Sequence, residues 1–112
     1  MSELADLTSR LREFARVRDW ERFHTPKNLA MALTGEVGEL VAELQWLTEA
    51  EAANVMDDPG AAARLRSEAA DVFLYFLRLA DVLGIDLAAA AHAKIDENEV
   101  RFAADIIDPH RI

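Results

Sequence analysis

The residues with the clearest capacity for chemistry are two acidic pairs. Glu36 and Glu39 stand three apart in Gly35-Glu36-Val37-Gly38-Glu39-Leu40, and Glu68 and Asp71 repeat the spacing in Glu68-Ala69-Ala70-Asp71. On a helix, positions i and i+3 share a face, with Cβ atoms about 5–6 Å apart. Each segment therefore aims two carboxylates at one point, and two such helices packed antiparallel would gather all four around a common volume. Burying unpaired negative charge is costly. A hard divalent cation, Mg2+ above all, removes that cost, because all-oxygen ligand sets suit it. Taken alone, Glu36, Glu39 and Glu43 would serve equally well as a solvated face, since Leu33, Val37, Leu40, Val41 and Leu44 form an apolar stripe on the same segment. Glu68 and Asp71 fit that reading less well, because their helix is apolar around them and an acid there calls for a partner or a metal.

Three further groups accompany the acids. Glu68, Asp71, Tyr75 and Arg78 fall on one stripe at i, i+3, i+7 and i+10: two acids, a phenol, then a cation. Lys94, Asn98 and Arg101 form another, which is either an exposed face paired with Asp96 and Glu97 or, beside a metal cluster, a set of donors for phosphate oxygens. Trp20, His24 and Trp46 flank the segment holding the first acidic pair. They either anchor the core or build a stacking pocket for a flat base. Glu21 and His24 have the Glu-x-x-His spacing of carboxylate-bridged di-iron bundles, but those need two such motifs inside helices, and here a single one precedes a proline.

The elements that must carry these residues all read as helices. Helical periodicity over residues 4–18 predicts the first. Thr25 as N-cap and Pro26 as first helical residue open a second, over 26–47. Gly35 and Gly38 are expensive inside it, by up to about 1 kcal/mol each, which close approach of a neighbouring helix or ligand would explain. Thr48 with Glu51 makes a capping box for a short helix over 49–56, and Asp57-Asp58-Pro59-Gly60 reads as a turn. A long helix is predicted over 61–83, stopped by Gly84, and a last one over 87–103, capped by Asp86. Residues 105–112 read as a tail. No stretch alternates as a strand would. The predicted class is all-α, one domain over 1–112, a small bundle of about four main helices. The run from Ala69 to Leu79 is apolar nearly all round, which in so short a chain points to a helix of a second subunit packing against it.

Composition narrows the function classes. The chain has 112 residues and no cysteine, so disulfides, thiolate zinc sites and iron–sulfur clusters are excluded. A formal charge of −9 argues against a nucleic-acid polymer as partner, because phosphate backbones demand a basic footprint. No apolar run approaches a membrane span and no leader is visible at the N-terminus, so a cytoplasmic protein is the expectation.

The ordered set of motifs resembles the all-α NTP pyrophosphatases, the MazG-like superfamily, and within it the dCTP pyrophosphatase branch. The match runs through Phe23-His24-x-Pro26-Lys27-Asn28-Leu29, Gly35-Glu36-Val37-Gly38-Glu39-Leu40, Gln45-Trp46, Glu68-x-x-Asp71-Val72-x-x-Tyr75 and Lys94-x-x-x-Asn98, over roughly residues 11–102. The resemblance implies hydrolysis of a nucleoside triphosphate between the α and β phosphates, with Mg2+ held by Glu36, Glu39, Glu68 and Asp71. It implies a base site at Trp20, His24 and Trp46, triphosphate contacts from Tyr75, Lys94 and Asn98, and a homo-oligomer of two or four chains with sites near subunit boundaries. Glu36 or Glu39 is then the expected base for the attacking water. Two departures stand out. Lys27 occupies a position where arginine is common, and Glu99-Val100-Arg101-Phe102 replaces the basic run that often follows Asn98. The remaining alternatives are a MazG-like diphosphatase with little base preference and a helical interaction module without chemistry.

Overall fold

A side-chain cap opens each of the five α-helices in the computed structural model, which describes residues 2–103. Ser2 accepts from the Ala5 amide and opens α1 (Glu3–Val17). The helix ends with Asp19 in the left-handed region at φ 57°, Asp19 N–H donating to Arg16 O and Trp20 N–H to Ala15 O. This is the Schellman pattern with an aspartate where glycine is usual. It fixes the direction in which Trp20 leaves the helix. A short 3-10 turn, Glu21–Phe23, leads to Thr25, whose hydroxyl accepts from the Asn28 amide and starts α2 (Pro26–Ala42) with proline at its first position.

The second helix stops before its predicted end at 47. Its last turn tightens to i→i+3 bonds, from Glu43 N–H to Leu40 O and from Leu44 N–H to Val41 O, and Thr48 then caps a new helix, α3 (Glu49–Ala53), through a complete capping box with Glu51. Another 3-10 turn, Val55–Asp57, follows. The long helix α4 (Pro59–Leu83) begins earlier than 61, because Asp58 accepts from the Gly60 and Ala61 amides and Pro59 is pre-set for the first helical position. The expected turn at 57–60 is thus the N-cap and first turn of α4. Gly84, at φ 72°, repeats the Schellman closure, with Ile85 N–H donating to Ala80 O. Asp86 caps α5 (Leu87–Arg101), which ends two residues short of 103. The predicted tail at 105–112 lies outside the described residues.

The described residues contain helices, 3-10 turns and connections, and no strand. Helix α4 is the axis, with α2 along one side and α1 along another. Three pairings give the direction of α2 against α4. Glu43 meets Arg64, Glu36 meets Glu68 and Asp71, and His24, just before α2, meets Arg78. As one chain number falls the other rises, so α2 and α4 are antiparallel. The core between the helices is thin: Ala15, Leu29, Ala62, Leu77 and Ala80 are its buried apolar members. Helix α5 leans on little of this, with none of its residues buried. The radius of gyration is 17.2 Å, whereas a compact domain of this length has about 13 Å. Beyond their own helix, Gly35 and Gly38 have no atom of the described residues within 4 Å of where a Cβ would stand, so the close neighbour that the sequence suggested there is not supplied by those residues.

Candidate active site

The antiparallel pairing of α2 and α4 brings Glu36, Glu68 and Asp71 together, with one carboxylate oxygen of each lying within 4.8 Å of the others. All three retain some exposure to solvent. The pKa of Glu68 is raised, first because its surroundings desolvate it and then through the charges of Asp71, Glu39, Glu36 and Glu43. Glu39 sits on the exposed side of α2, outside the three-acid cluster but within its field. Glu43 is engaged by Arg64 at 3.1 Å, whereas no ion pair among the described residues involves Glu36, Glu39, Glu68 or Asp71. Oxygen donors with uncompensated charge at this separation match what a divalent cation requires.

Asp71 also lines a pocket of about 150 Å³ between α1, the α1–α2 connection and α4. Helix α1 contributes Leu11 and Phe14, the connection Trp20 and His24, and α4 Asp71, Leu74, Tyr75 and Arg78. The Trp20 ring stands edge-on to Phe14 at 5.5 Å and to His24 at 6.1 Å. The stripe seen in the sequence spans both features: its acidic end joins the carboxylate cluster and its Tyr75–Arg78 end walls the pocket. Space of this order receives a single six-membered ring.

Arg78, 8% exposed, is the buried charge among the described residues. Its Nε donates to His24 Nδ1 at 3.1 Å and its Nη1 to Asp81 Oδ2 at 3.0 Å. Arg12, from α1, grips the same Asp81 with two bonds, 2.6 and 3.1 Å long. The Arg12 hydrogen bond is the main reason that the Asp81 pKa is depressed. His24 is pushed below its ordinary 6.5, by burial first and then by the charge of Arg78.

The other residues marked in the sequence lie apart from this site. Trp46 is 86% exposed, beyond the end of α2. Lys27 is exposed in the first turn of α2, and Asn28 ties that turn down, its Nδ2 donating to Phe23 O at 3.1 Å. Lys94 pairs with Glu97 at 3.3 Å, Asn98 O accepts from the Phe102 amide, and the Arg101 guanidinium lies 5.0 Å from the Phe102 ring. All three belong to α5, none of whose residues is buried. In the other direction, Leu11, Phe14, Leu74 and the Arg12–Asp81 clamp were not marked as site residues. Arg78 and Asp81 are three apart on one helix, a legible spacing, but the link to Arg12 spans α1 and α4 and has no local signal. A larger hollow of about 390 Å³ lies where α1 meets the α4–α5 turn. Its acids are already engaged, Asp81 by arginines and Asp86 by the α5 N-terminus.

Residues 24–102 match the model of the MazG nucleotide pyrophosphohydrolase domain. The chain is 42% identical to human dCTP pyrophosphatase 1 over 103 residues, covering 92% of this chain and 61% of that protein. It is also 42% identical to rat dCTP pyrophosphatase 1 over 99 residues, covering 88% and 58%. The chain thus spans about three-fifths of the length of these curated relatives. Among solved structures, a pyrophosphatase from Archaeoglobus fulgidus superposes with a TM-score of 0.85 at 35% identity, covering 92% of this chain and 94% of that one. On the family match over residues 24–102 and the 42% identity to these relatives, the chain belongs to the MazG nucleotide pyrophosphohydrolase family.

Proposed function

We propose that this chain hydrolyses a deoxynucleoside triphosphate, dCTP or a modified dCTP, between the α and β phosphates, releasing the monophosphate and pyrophosphate within the cytoplasmic nucleotide pool. The observation that carries the reading is the position of Asp71, shared by the acid cluster and the aromatic pocket. A nucleotide whose base enters the pocket lays its phosphates toward the carboxylates. The pocket's size favours a single ring over a fused pair, and the names of the curated relatives point the same way.

In this reading Glu36, Glu68 and Asp71, with Glu39 beside them, would hold Mg2+. When bound, the ion supplies charge neutralisation at the phosphate oxygens and orientation of the α phosphorus. Glu39 or Glu36 takes a proton from the attacking water. The water oxygen bonds to the α phosphorus, the bridging bond to the β phosphate breaks, and pyrophosphate leaves with the bond's electron pair. Trp20, Tyr75 and His24 confine the base. Lys94, Asn98 and Arg101 serve as phosphate donors, and Trp46 and Lys27 complete the base and phosphate walls, in an assembly of two or four chains. The exposed α5 and the extended shape support that assembly, since the ion partner of Lys94 among the described residues is Glu97 on its own helix, not the acids.

The test is a panel of dNTPs assayed with Mg2+ for pyrophosphate release. Preferential release from dCTP is expected, and orthophosphate as first product would overturn the cleavage position. Glu39→Gln should lower turnover by about 100-fold or more with helical circular dichroism unchanged. Normal turnover in that variant would remove Glu39 from the mechanism.

A further inference from the structure

We infer that Arg78 is a positioning residue that fixes His24 as a hydrogen-bond donor at the wall of the Trp20–Tyr75 pocket, so that the pocket selects a pyrimidine carbonyl. The inference rests on the reading of that pocket as the base site, and it adds a residue and a rule of selection that the reaction itself does not require.

The argument is one of donors and acceptors. A guanidinium has only donors and keeps its proton in proteins, so the atom that Arg78 Nε addresses must offer a lone pair. That atom is His24 Nδ1, 3.1 Å away. Nδ1 is therefore unprotonated, and the neutral ring carries its hydrogen on Nε2. Arg78 has no freedom to swing aside. It is 8% exposed, its Nη1 is bonded to Asp81, and Asp81 is itself gripped by Arg12 from α1. The partial burial of His24 and the adjacent positive charge both oppose a second ring proton.

The other ring nitrogen is open. Among the described residues no hydrogen bond of His24 uses Nε2, and no buried side-chain nitrogen or oxygen lacks a partner, so Nε2 stands where a ligand can reach it. A wall that can only donate accepts a carbonyl and rejects an amino group. Cytosine has its one exocyclic acceptor in the carbonyl beside the glycosidic bond. An isomer with amino and carbonyl groups exchanged would set donor against donor and leave both unpaired.

Long-range ¹⁵N–¹H correlation on histidine-labelled protein tests the clamp without substrate, with His24 assigned by the signals lost in His24→Gln. The expected pattern at neutral pH is the Nε2–H tautomer. A proton on Nδ1, or an imidazolium, overturns the inference. Steady-state kinetics tests the selection. Arg78→Met should raise KM for dCTP about 10-fold, the size of one lost neutral hydrogen bond, with kcat within about twofold. It should also shrink the preference for dCTP over 2′-deoxyisocytidine triphosphate. An unchanged preference in a folded Arg78→Met protein overturns the inference. If that variant does not fold, the tautomer in the unaltered protein decides. His24→Ala separates the two readings. Raised KM there with no effect of Arg78→Met sinks the positioning role alone, whereas no change in KM for any dNTP sinks the pocket as base site and the positioning role with it.

Discussion

At the scale of single residues, the carboxylates and the Arg78 network have opposite signatures. Glu68 has a raised pKa, so its charged form is less favourable in the folded chain than in the unfolded one. The folded state binds the proton more tightly there, and metal-free protein gains stability from this group as pH falls through its raised value. Glu68→Gln should therefore raise the melting temperature of EDTA-treated protein and abolish the further rise that Mg2+ gives the parent. A variant that melts lower without metal, yet still responds fully to Mg2+, would count against the cluster as the cation site. His24 runs the other way. Its folded pKa lies below 6.5, so between the two values the unfolded chain holds a proton that the folded chain refuses. Its contribution to stability is complete above about pH 6.5 and is lost as pH falls below it. Asp81, with a depressed pKa, adds a second loss at lower pH, below its ordinary 3.8. Urea titrations at a series of pH values should show the first step, and His24→Gln should remove it.

At the scale of elements, the caps and turns decide what faces the site. Asp19 in the left-handed region is the turn that delivers Trp20 to the pocket. An L-residue without a short polar side chain is strained there by about 1–2 kcal/mol. Asp19→Val should lower stability by roughly that amount and raise KM more than it lowers kcat, as measured by denaturant titration and initial rates. Thr48→Ala removes one half of the capping box and should cost about 1 kcal/mol with little effect on KM, because α3 contributes nothing to the pocket. The contrast between the two variants separates a structural cap from a cap that aims a functional ring.

At the scale of the whole molecule, the helices leave large apolar side chains in solvent, which the proposed assembly would cover. Phe73 and Phe76 on α4 are 41% and 46% exposed, and Ile95 and Val100 on α5 are 55% and 84% exposed. Apolar surface of that extent is favourable to remove from water, at about 25 cal/mol per Å². If the proposed assembly of two or four chains forms, Ile95→Asp should shift the mass measured by light scattering toward the single chain and reduce activity in parallel, since Lys94 and Asn98 ride on the same helix. Full activity in a monomeric variant would refute the supply of phosphate donors by a second copy. Among the described residues no helix is long and apolar enough to cross a membrane.

Much of this was written in local sequence. The caps at Thr25, Thr48 and Asp86, the stop at Gly84 and the i, i+3 acid pairs are short-range features, and short-range sterics and hydrogen bonding determine them without help from the rest of the chain. The all-α class and the stripe of Glu68, Asp71, Tyr75 and Arg78 follow from the same local rules. Tertiary packing alone decided that Glu36, not Glu39, closes on Glu68 and Asp71, because that depends on the rotation of α2 against α4. Packing also made Asp71 the hinge between acids and pocket, and it joined Arg12 to Asp81 across 69 positions. Contacts between distant segments arise from the fit of whole helix faces, and no spacing along a single helix encodes that fit.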